Sequence, residues 1–203
     1  MSVLSKNLNV KMAVVAMLTV VSAGALAHPG HMGHAHEGLF MAGFMHPLTG
    51  MDHLLAMLAV GLWSALTHQT LRRAMLAPVV FLVMLFAGAM LGMMGLQMPM
   101  VEPMIMTSLL ILGLLVAARK AVNDTIGFVV VGLFALFHGL AHGMELPAAT
   151  GVMSFVAGFM IATFILHMAG LWGGFQLKRH SVWFSRVLGG GIAAYGMLLL
   201  IGA

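Results

Sequence analysis

Residues 125–145 read TIGFVVVGLFALFHGLAHGME, and the first twenty of them include no Lys, Arg, Asp or Glu. At about 1.5 Å of rise per residue, a helix of that length is about 30 Å long, which matches the hydrocarbon core of a bilayer. The stretch therefore predicts a membrane-spanning helix with two histidines and a glutamate close to its end.

Five further apolar stretches have similar character. They cover residues 39–66, 74–97, 103–118, 147–173 and 184–202. Over the 203 residues, 62% of the side chains are hydrophobic and 7% are charged, whereas about a quarter of a soluble domain is charged. We therefore expect an all-α, polytopic membrane protein with about six transmembrane helices, with the lipid bilayer as its main surroundings.

Several classes of function are excluded by composition. The nine Lys and Arg residues are scattered between apolar stretches, so no basic face for nucleic acid can form. The chain has no Cys, which excludes disulfides and thiolate metal sites. Eleven His and 22 Met are the unusual components, so any chemistry must come mainly from them and from five acidic residues.

The amino-terminal residues have the pattern of a secretory signal peptide. Lys6 and Lys11 precede an apolar run, and Ala25-Leu26-Ala27 supplies small residues for cleavage. An uncleaved first helix is the alternative. The predicted organisation is a signal peptide at 1–27, a flexible His-rich periplasmic segment at 28–37 and a six-helix membrane domain at 38–203.

The basic residues predict the orientation in the membrane, because Lys and Arg are retained on the cytoplasmic side. After the signal peptide all of them lie in alternate loops: Arg72, Arg73, Arg119, Lys120, Lys178, Arg179 and Arg186. The other loops have none. Both ends of the mature chain are therefore expected to face the periplasm.

The first apolar segment contains a polar motif. His46 precedes Pro47, and Asp52 and His53 follow Gly50. Proline cannot extend a helix from upstream without losing a hydrogen bond, and Gly50 loosens the next turn, so we expect a break or a fresh helix start near His46. Broken helices at membrane depth usually line a site, and irregular backbone would let His46, Asp52 and His53 converge, with Asp52 orienting an imidazole.

The fourth segment has His138, His142 and Glu145 at positions i, i+4 and i+7, which places them on one stripe of a helix. Imidazoles with a carboxylate suit a divalent transition metal. Both motifs are expected in the outer half of the membrane, where they can form one site. Core histidines bonded to carbonyls are the alternative, but carboxylates in the membrane are costly and therefore functional by default.

Residues 46–53 resemble the His, five residues, Asp-His signature of the HupE/UreJ family, and residues 137–145 resemble its second signature, Phe-His-Gly-x-Ala-His-Gly-x-Glu. This resemblance implies a nickel permease of the bacterial inner membrane that supplies hydrogenase or urease, and so an indirect link to their maturation proteins. The implied functional residues are His46, Asp52, His53, His138, His142 and Glu145.

Other polar residues have two interpretations each. His28, His31, His34 and His36 form either a linker or a metal-capture segment, and Glu102 is either a helix-start acid or a ligand at the outer mouth. His167 is either a hydrogen-bonded core residue or an exit station. The methionines between 93 and 106 either fill space or form a copper(I) relay.

The sequence has no phosphate-binding loop, so we expect facilitated or potential-driven transport of Ni²⁺, or of Co²⁺, with no permanently bound cofactor and no enzymatic activity. The alternatives are a zinc-dependent intramembrane hydrolase, a copper-handling membrane protein, and a metal-sensing or assembly subunit. A 3+3 inverted repeat is a further hypothesis, based on a weak alignment of the two motifs. Formation of a homo-oligomer stays open.

Overall fold

A computed structural model describes residues 35–146 and 151–202, with side chains from residue 38 onward. These residues form helices and connecting turns, and no strand occurs among them. The helices are α1 (Ala35–Thr49), α2 (Met51–Thr67), α3 (Leu71–Ala74), α4 (Leu76–Met93), α5 (Val101–Ala118), α6 (Asp124–Glu145), α7 (Val152–Leu177) and α8 (Val182–Gly202).

The expected all-helical membrane fold is confirmed. Among the described residues, five stretches are long and apolar enough to cross a membrane: Leu71–Met93, α5, α6, α7 and α8. The sixth is the pair α1 and α2, which are bent by 76° relative to each other. The signal peptide predicted at 1–27 lies outside the described residues. α1 begins at Ala35, so the end of the segment expected to be flexible is helical.

The break in the first segment falls at Gly50 and not near His46 as expected. α1 continues through Pro47, and Gly50 has an extended backbone with φ −83° and ψ 113°. The missing N–H of Pro47 removes only one hydrogen bond, in the last turn of α1, which a helix end tolerates more easily than its middle. The Gly50 N–H still donates to the His46 carbonyl at 3.2 Å.

Glycines bring the helices into backbone contact. α4 packs on α6, and α2 packs on α7, in both cases along glycines. A Cβ atom added at Gly139 of α6 would overlap the Leu85 carbonyl, and one at Gly61 of α2 would overlap the His167 carbonyl. In lipid no hydrophobic effect drives helices together, so the close packing that glycines allow stabilises their association instead. α5 packs on α8 in the same way.

Exposed apolar side chains cover the outside of the bundle, as expected for a surface in lipid. Val187, Leu198 and Ile201 of α8 are examples. The helix pairs α4–α6 and α2–α7 would be equivalent in a 3+3 inverted repeat, but this pairing does not test superposition of the halves. The inverted repeat therefore stays a prediction.

Three loops meet at one end of the bundle. The Arg119 guanidinium donates to the Leu177 carbonyl at 2.7 Å and to Ser185 Oγ at 2.6 Å. The Lys178 ammonium donates to the His68 carbonyl. The loops that the sequence predicts to be basic are thus on the same end, which we call the Arg119 end; the opposite end, where α6 finishes, is called the Glu145 end.

Replacing Gly189 with alanine tests the backbone contacts. Its Cβ atom would overlap the Ala117 backbone nitrogen, so Gly189→Ala should lower the apparent Tm of the purified protein in detergent by about 3–10 °C. Gly190→Ala is the matched control on the same helix, since nothing lies within 4 Å of its added Cβ atom. Equal Tm values for the two variants would contradict this packing.

Candidate metal centre

Three imidazoles from three helices meet at the Glu145 end of the bundle. His46 belongs to α1, His53 to α2 and His142 to α6, and one ring nitrogen from each lies within 4.8 Å of the other two. The ring centroid of His142 is 4.6 Å from that of His46 and 4.6 Å from that of His53. His53 and His142 are buried, whereas His46 is partly buried.

The bend at Gly50 makes this meeting possible. On one straight helix, residues 46 and 53 would be separated by about 10 Å along the axis, because each residue adds about 1.5 Å. Across the bend the two ring centroids are 5.7 Å apart. A Cβ atom at position 50 would lie 3.1 Å from Asp52 Oδ1 and 3.2 Å from His53 Nδ1, so glycine also leaves space for that pair.

Two of the imidazoles have a carboxylate near Nδ1, on the side of the ring away from the centre of the cluster. Asp52 Oδ1 is 2.9 Å from His53 Nδ1, and Glu145 Oε2 is 3.7 Å from His142 Nδ1. Because an ionised carboxylate only accepts hydrogen bonds, Asp52 keeps the proton of a neutral His53 on Nδ1 and leaves its Nε2 lone pair free. Carboxylates orient metal-binding histidines in this way. Glu145 is beyond hydrogen-bond distance of His142 and acts on that ring through its charge.

The two Nε2 atoms face each other at 2.6 Å. With its proton on Nδ1, His53 accepts at Nε2 a hydrogen bond from His142 Nε2–H. When His142 carries its proton on Nδ1 instead, two lone pairs point at one another, an arrangement that a cation between them would stabilise. A metal about 2.0–2.1 Å from each nitrogen needs the two atoms about 3 Å apart, so the rings would have to separate by a few tenths of an ångström. His53 and His142 could therefore hold a divalent cation after a small local movement, and His46, whose ring nitrogen lies within 4.8 Å of theirs, would move towards the ion to join them.

His138 lies one helical turn farther from the Glu145 end than His142 and does not join the group of three. Its ring centroid is 5.4 Å from that of His53. Its Nδ1–H donates to the Phe134 carbonyl at 2.8 Å, and its buried Nε2 has no partner among the described residues. The six predicted ligands are thus divided into three facing imidazoles, two carboxylates behind them, and one deeper imidazole.

The remaining predicted positions lie elsewhere. Glu102 is exposed in the first turn of α5. His28, His31, His34 and the side chain of His36 lie outside the described part of the chain. Among the methionines, Met94 and Met100 are exposed, whereas Met104 packs against a small cluster that includes Phe137. Packing is thus observed for one methionine of the run.

Two aromatic residues of the centre were not anticipated from the sequence. Phe155 and Phe159 of α7 contact His46, with ring centroids 5.8 Å away in each case, and Phe159 also lies 4.8 Å from His142. They form an apolar wall that strengthens electrostatic interactions inside the site. No local signal could have identified them, because phenylalanine in an apolar helix is typical of packing.

The fold and the centre define a helical membrane protein with a buried cluster of imidazoles backed by carboxylates. The chain belongs to the HupE/UreJ family: the family model described as "HupE / UreJ protein" matches residues 15–199. The chain is also 39% identical over 183 residues to "Protein HupE" of Rhizobium leguminosarum bv. viciae, covering 88% of this chain and 94% of the relative. No solved structure matches the chain.

Removing one imidazole should weaken metal binding. In protein whose four histidines between residues 28 and 36 are replaced by serine, we expect His142→Ala to lower the affinity for Ni²⁺ at least about tenfold. We expect Asp52→Asn to lower it about 10–100-fold, because the neutral amide lacks the negative charge that makes His53 a more basic ligand. Calorimetric titration in detergent measures both.

His180→Ala is the control, since this exposed histidine lies in the turn between α7 and α8, at the Arg119 end. Equal Ni²⁺ affinities for His142→Ala and His180→Ala would show that the cluster is not the binding site.

Proposed function

We propose that this protein is a permease that moves a divalent transition-metal ion, Ni²⁺ with Co²⁺ as the alternative cargo, from the periplasm to the cytoplasm across the bacterial inner membrane. The main observation in support is that His46, His53 and His142 come together among membrane-spanning helices. Membership of the HupE/UreJ family supports this role. The delivered metal would serve maturation of hydrogenase or urease.

The charge of the site supports a divalent ion as cargo. The three imidazoles can be neutral, whereas Asp52 and Glu145 together carry a formal charge of about −2 when ionised. A divalent cation between the imidazoles would neutralise the two carboxylates. Such a balance lowers the cost of holding the ion in the membrane.

The ligand set favours passage over permanent retention. Asp52 and Glu145 contact the imidazoles from behind and are themselves partly exposed, with 32% and 67% of their side chains accessible. The ion would be held mainly by neutral nitrogens, and the carboxylates could attract it from water first. A transport site must bind strongly enough to admit an ion and weakly enough to release it.

The direction of transport follows from the loops at the Arg119 end. If these basic loops are cytoplasmic, the Glu145 end and the three imidazoles face the periplasm. Moving a divalent cation inward along a membrane potential then gains about 4.6 kcal/mol per 100 mV. The potential alone therefore provides a driving force for inward transport without nucleotide hydrolysis.

Admission of the ion requires loss of water and movement of side chains. The cavity beside His142 has a volume of about 10 Å³ and is bordered by Leu85 and Phe159. That space corresponds to about one water molecule. A hydrated ion would have to exchange most of its water for imidazole nitrogens before it could pass between the helices.

The zinc hydrolase alternative would use metal-bound water as its nucleophile, so the cavity at the site counts most against it, and the buried serines add no second nucleophile there. Ser64 Oγ donates to the Ala74 carbonyl at 2.8 Å, and Ser108 Oγ donates to the Ile105 carbonyl at 2.6 Å. A metal-dependent hydrolase also needs an open position and a polar cavity for its substrate. The cavity beside His142 has mainly apolar side chains around it. Transport therefore accounts better for this site.

Uptake measurements test the proposed function directly. Cells that produce the chain should accumulate labelled Ni²⁺, and we expect His142→Ala and Asp52→Asn each to lower the initial rate at least about tenfold, the effect of losing about 1.4 kcal/mol of stabilisation of the passing ion. His180→Ala should leave the rate unchanged. Unaltered uptake by both site variants at equal protein level would contradict the proposal.

The amino-terminal histidines provide a separate test of metal capture. Replacing His28, His31, His34 and His36 with serine should raise the Ni²⁺ concentration for half-maximal uptake about threefold or more, because tethered ligands raise the local metal concentration. The maximal rate should stay unchanged. Equal loss of uptake at low and high Ni²⁺ would contradict a capture role.

A further inference from the structure

Two polar side chains of α7 point into the centre of the bundle. Thr163 and His167 are four residues apart, which places them on one face of the helix, and both have no accessible surface. They lie in an otherwise apolar stretch of a membrane-spanning helix. An ionisable side chain such as that of His167 is rare in that position and usually serves a function.

Only one of the two His167 nitrogens has a structural role. Its Nδ1 lies 2.7 Å from the Met57 carbonyl, and because a carbonyl only accepts, Nδ1 carries the proton. The Nε2 atom therefore keeps its lone pair. Neither this atom nor Thr163 Oγ1 has a hydrogen-bond partner among residues 35–146 and 151–202. Native proteins rarely leave such groups unpaired when they are buried.

The position of His167 continues the line of imidazoles away from the Glu145 end. Met57, its partner in α2, lies one helical turn beyond His53. The Phe81 ring touches both deeper imidazoles, with its centroid 5.9 Å from His138 and 4.8 Å from His167. Beyond the cluster of His46, His53 and His142, which we call the three-imidazole cluster, the bundle thus contains His138, then Phe81 and then His167.

We infer that His167 Nε2 and Thr163 Oγ1 form a second, transient station for the transported cation, reached from the three-imidazole cluster past His138 and Phe81. The inference rests on the proposed function and deepens it. One imidazole nitrogen and one hydroxyl oxygen suit a divalent transition-metal ion that keeps part of its water. Because this station offers fewer nitrogens than the cluster, it would release the ion faster.

Three variants separate this role from a purely structural one. His167→Asn places an amide N–H near the position of Nδ1, so it can keep the hydrogen bond to Met57 while removing Nε2. Thr163→Val removes the hydroxyl with little change in shape, and Thr163→Ser restores it. Thr107→Val is the control, since the Thr107 hydroxyl bonds to the Pro103 carbonyl within its own helix.

The test compares Ni²⁺ uptake into proteoliposomes with Ni²⁺ binding to the same purified proteins. We expect His167→Asn to lower the maximal uptake rate at least about tenfold and Thr163→Val to lower it about threefold or more. Thr163→Ser and Thr107→Val should match the wild type. Affinity for Ni²⁺ at the three-imidazole cluster should stay within about twofold in every variant, because that cluster is unchanged.

Wild-type rates in both His167→Asn and Thr163→Val, beside active wild-type protein, would overturn the second station and leave the proposed function standing. If His167→Asn does not yield folded protein, the Thr163→Val and Thr163→Ser comparison decides the question alone. Absence of uptake by wild-type protein that binds Ni²⁺ would instead overturn the proposed function, and the second station with it.

Discussion

Inside a bilayer the backbone can leave the helical conformation only where protein groups satisfy its polar atoms, and Gly50 meets that condition. Its N–H donates to the His46 carbonyl at 3.2 Å, and its carbonyl accepts from the Leu54 N–H at 2.9 Å. The chain can therefore turn by 76° without leaving these two groups unpaired. The imidazoles of α1 and α2 face each other because of this turn.

The surroundings of the imidazoles follow from the same turn. Asp52 lies in the first turn of α2, where its carboxylate contacts Nδ1 of the next residue, His53, and remains partly exposed to solvent. α6 brings His142 and Glu145 from the other side in a similar arrangement. Two pairs of carboxylate and imidazole thus approach from different helices, and their Nε2 atoms meet in the middle.

Sequence reasoning was sufficient for the features that depend on composition and local spacing. Long apolar stretches predicted the helices, and the alternate loops with Arg119 and Lys178 are on one end of the bundle. The break was misplaced by four residues, because Pro47 marked the weakened hydrogen bond while Gly50 carries the actual change in backbone direction. Local sequence does not show at which of these two residues the helix breaks.

Features that depend on tertiary contacts were not accessible from the sequence. Helical spacing put His138 and His142 on one stripe, but the bend of the first segment determines which of them meets His46. The contacts of Phe155 and Phe159 depend on how α7 packs against α1. The hydrogen bond of His167 to the Met57 carbonyl, which leaves its second nitrogen unpaired, also needs the packed structure to be seen.

The glycine contacts between α4 and α6 have a mechanical consequence. Gly88, Gly139 and Gly143 bring the two backbones against each other, so a shift of one helix along the other would be a sliding of closely packed backbones. α6 carries both His138 and His142. A short axial slip of this single helix would move the imidazoles of His138 and His142 together along the bundle axis.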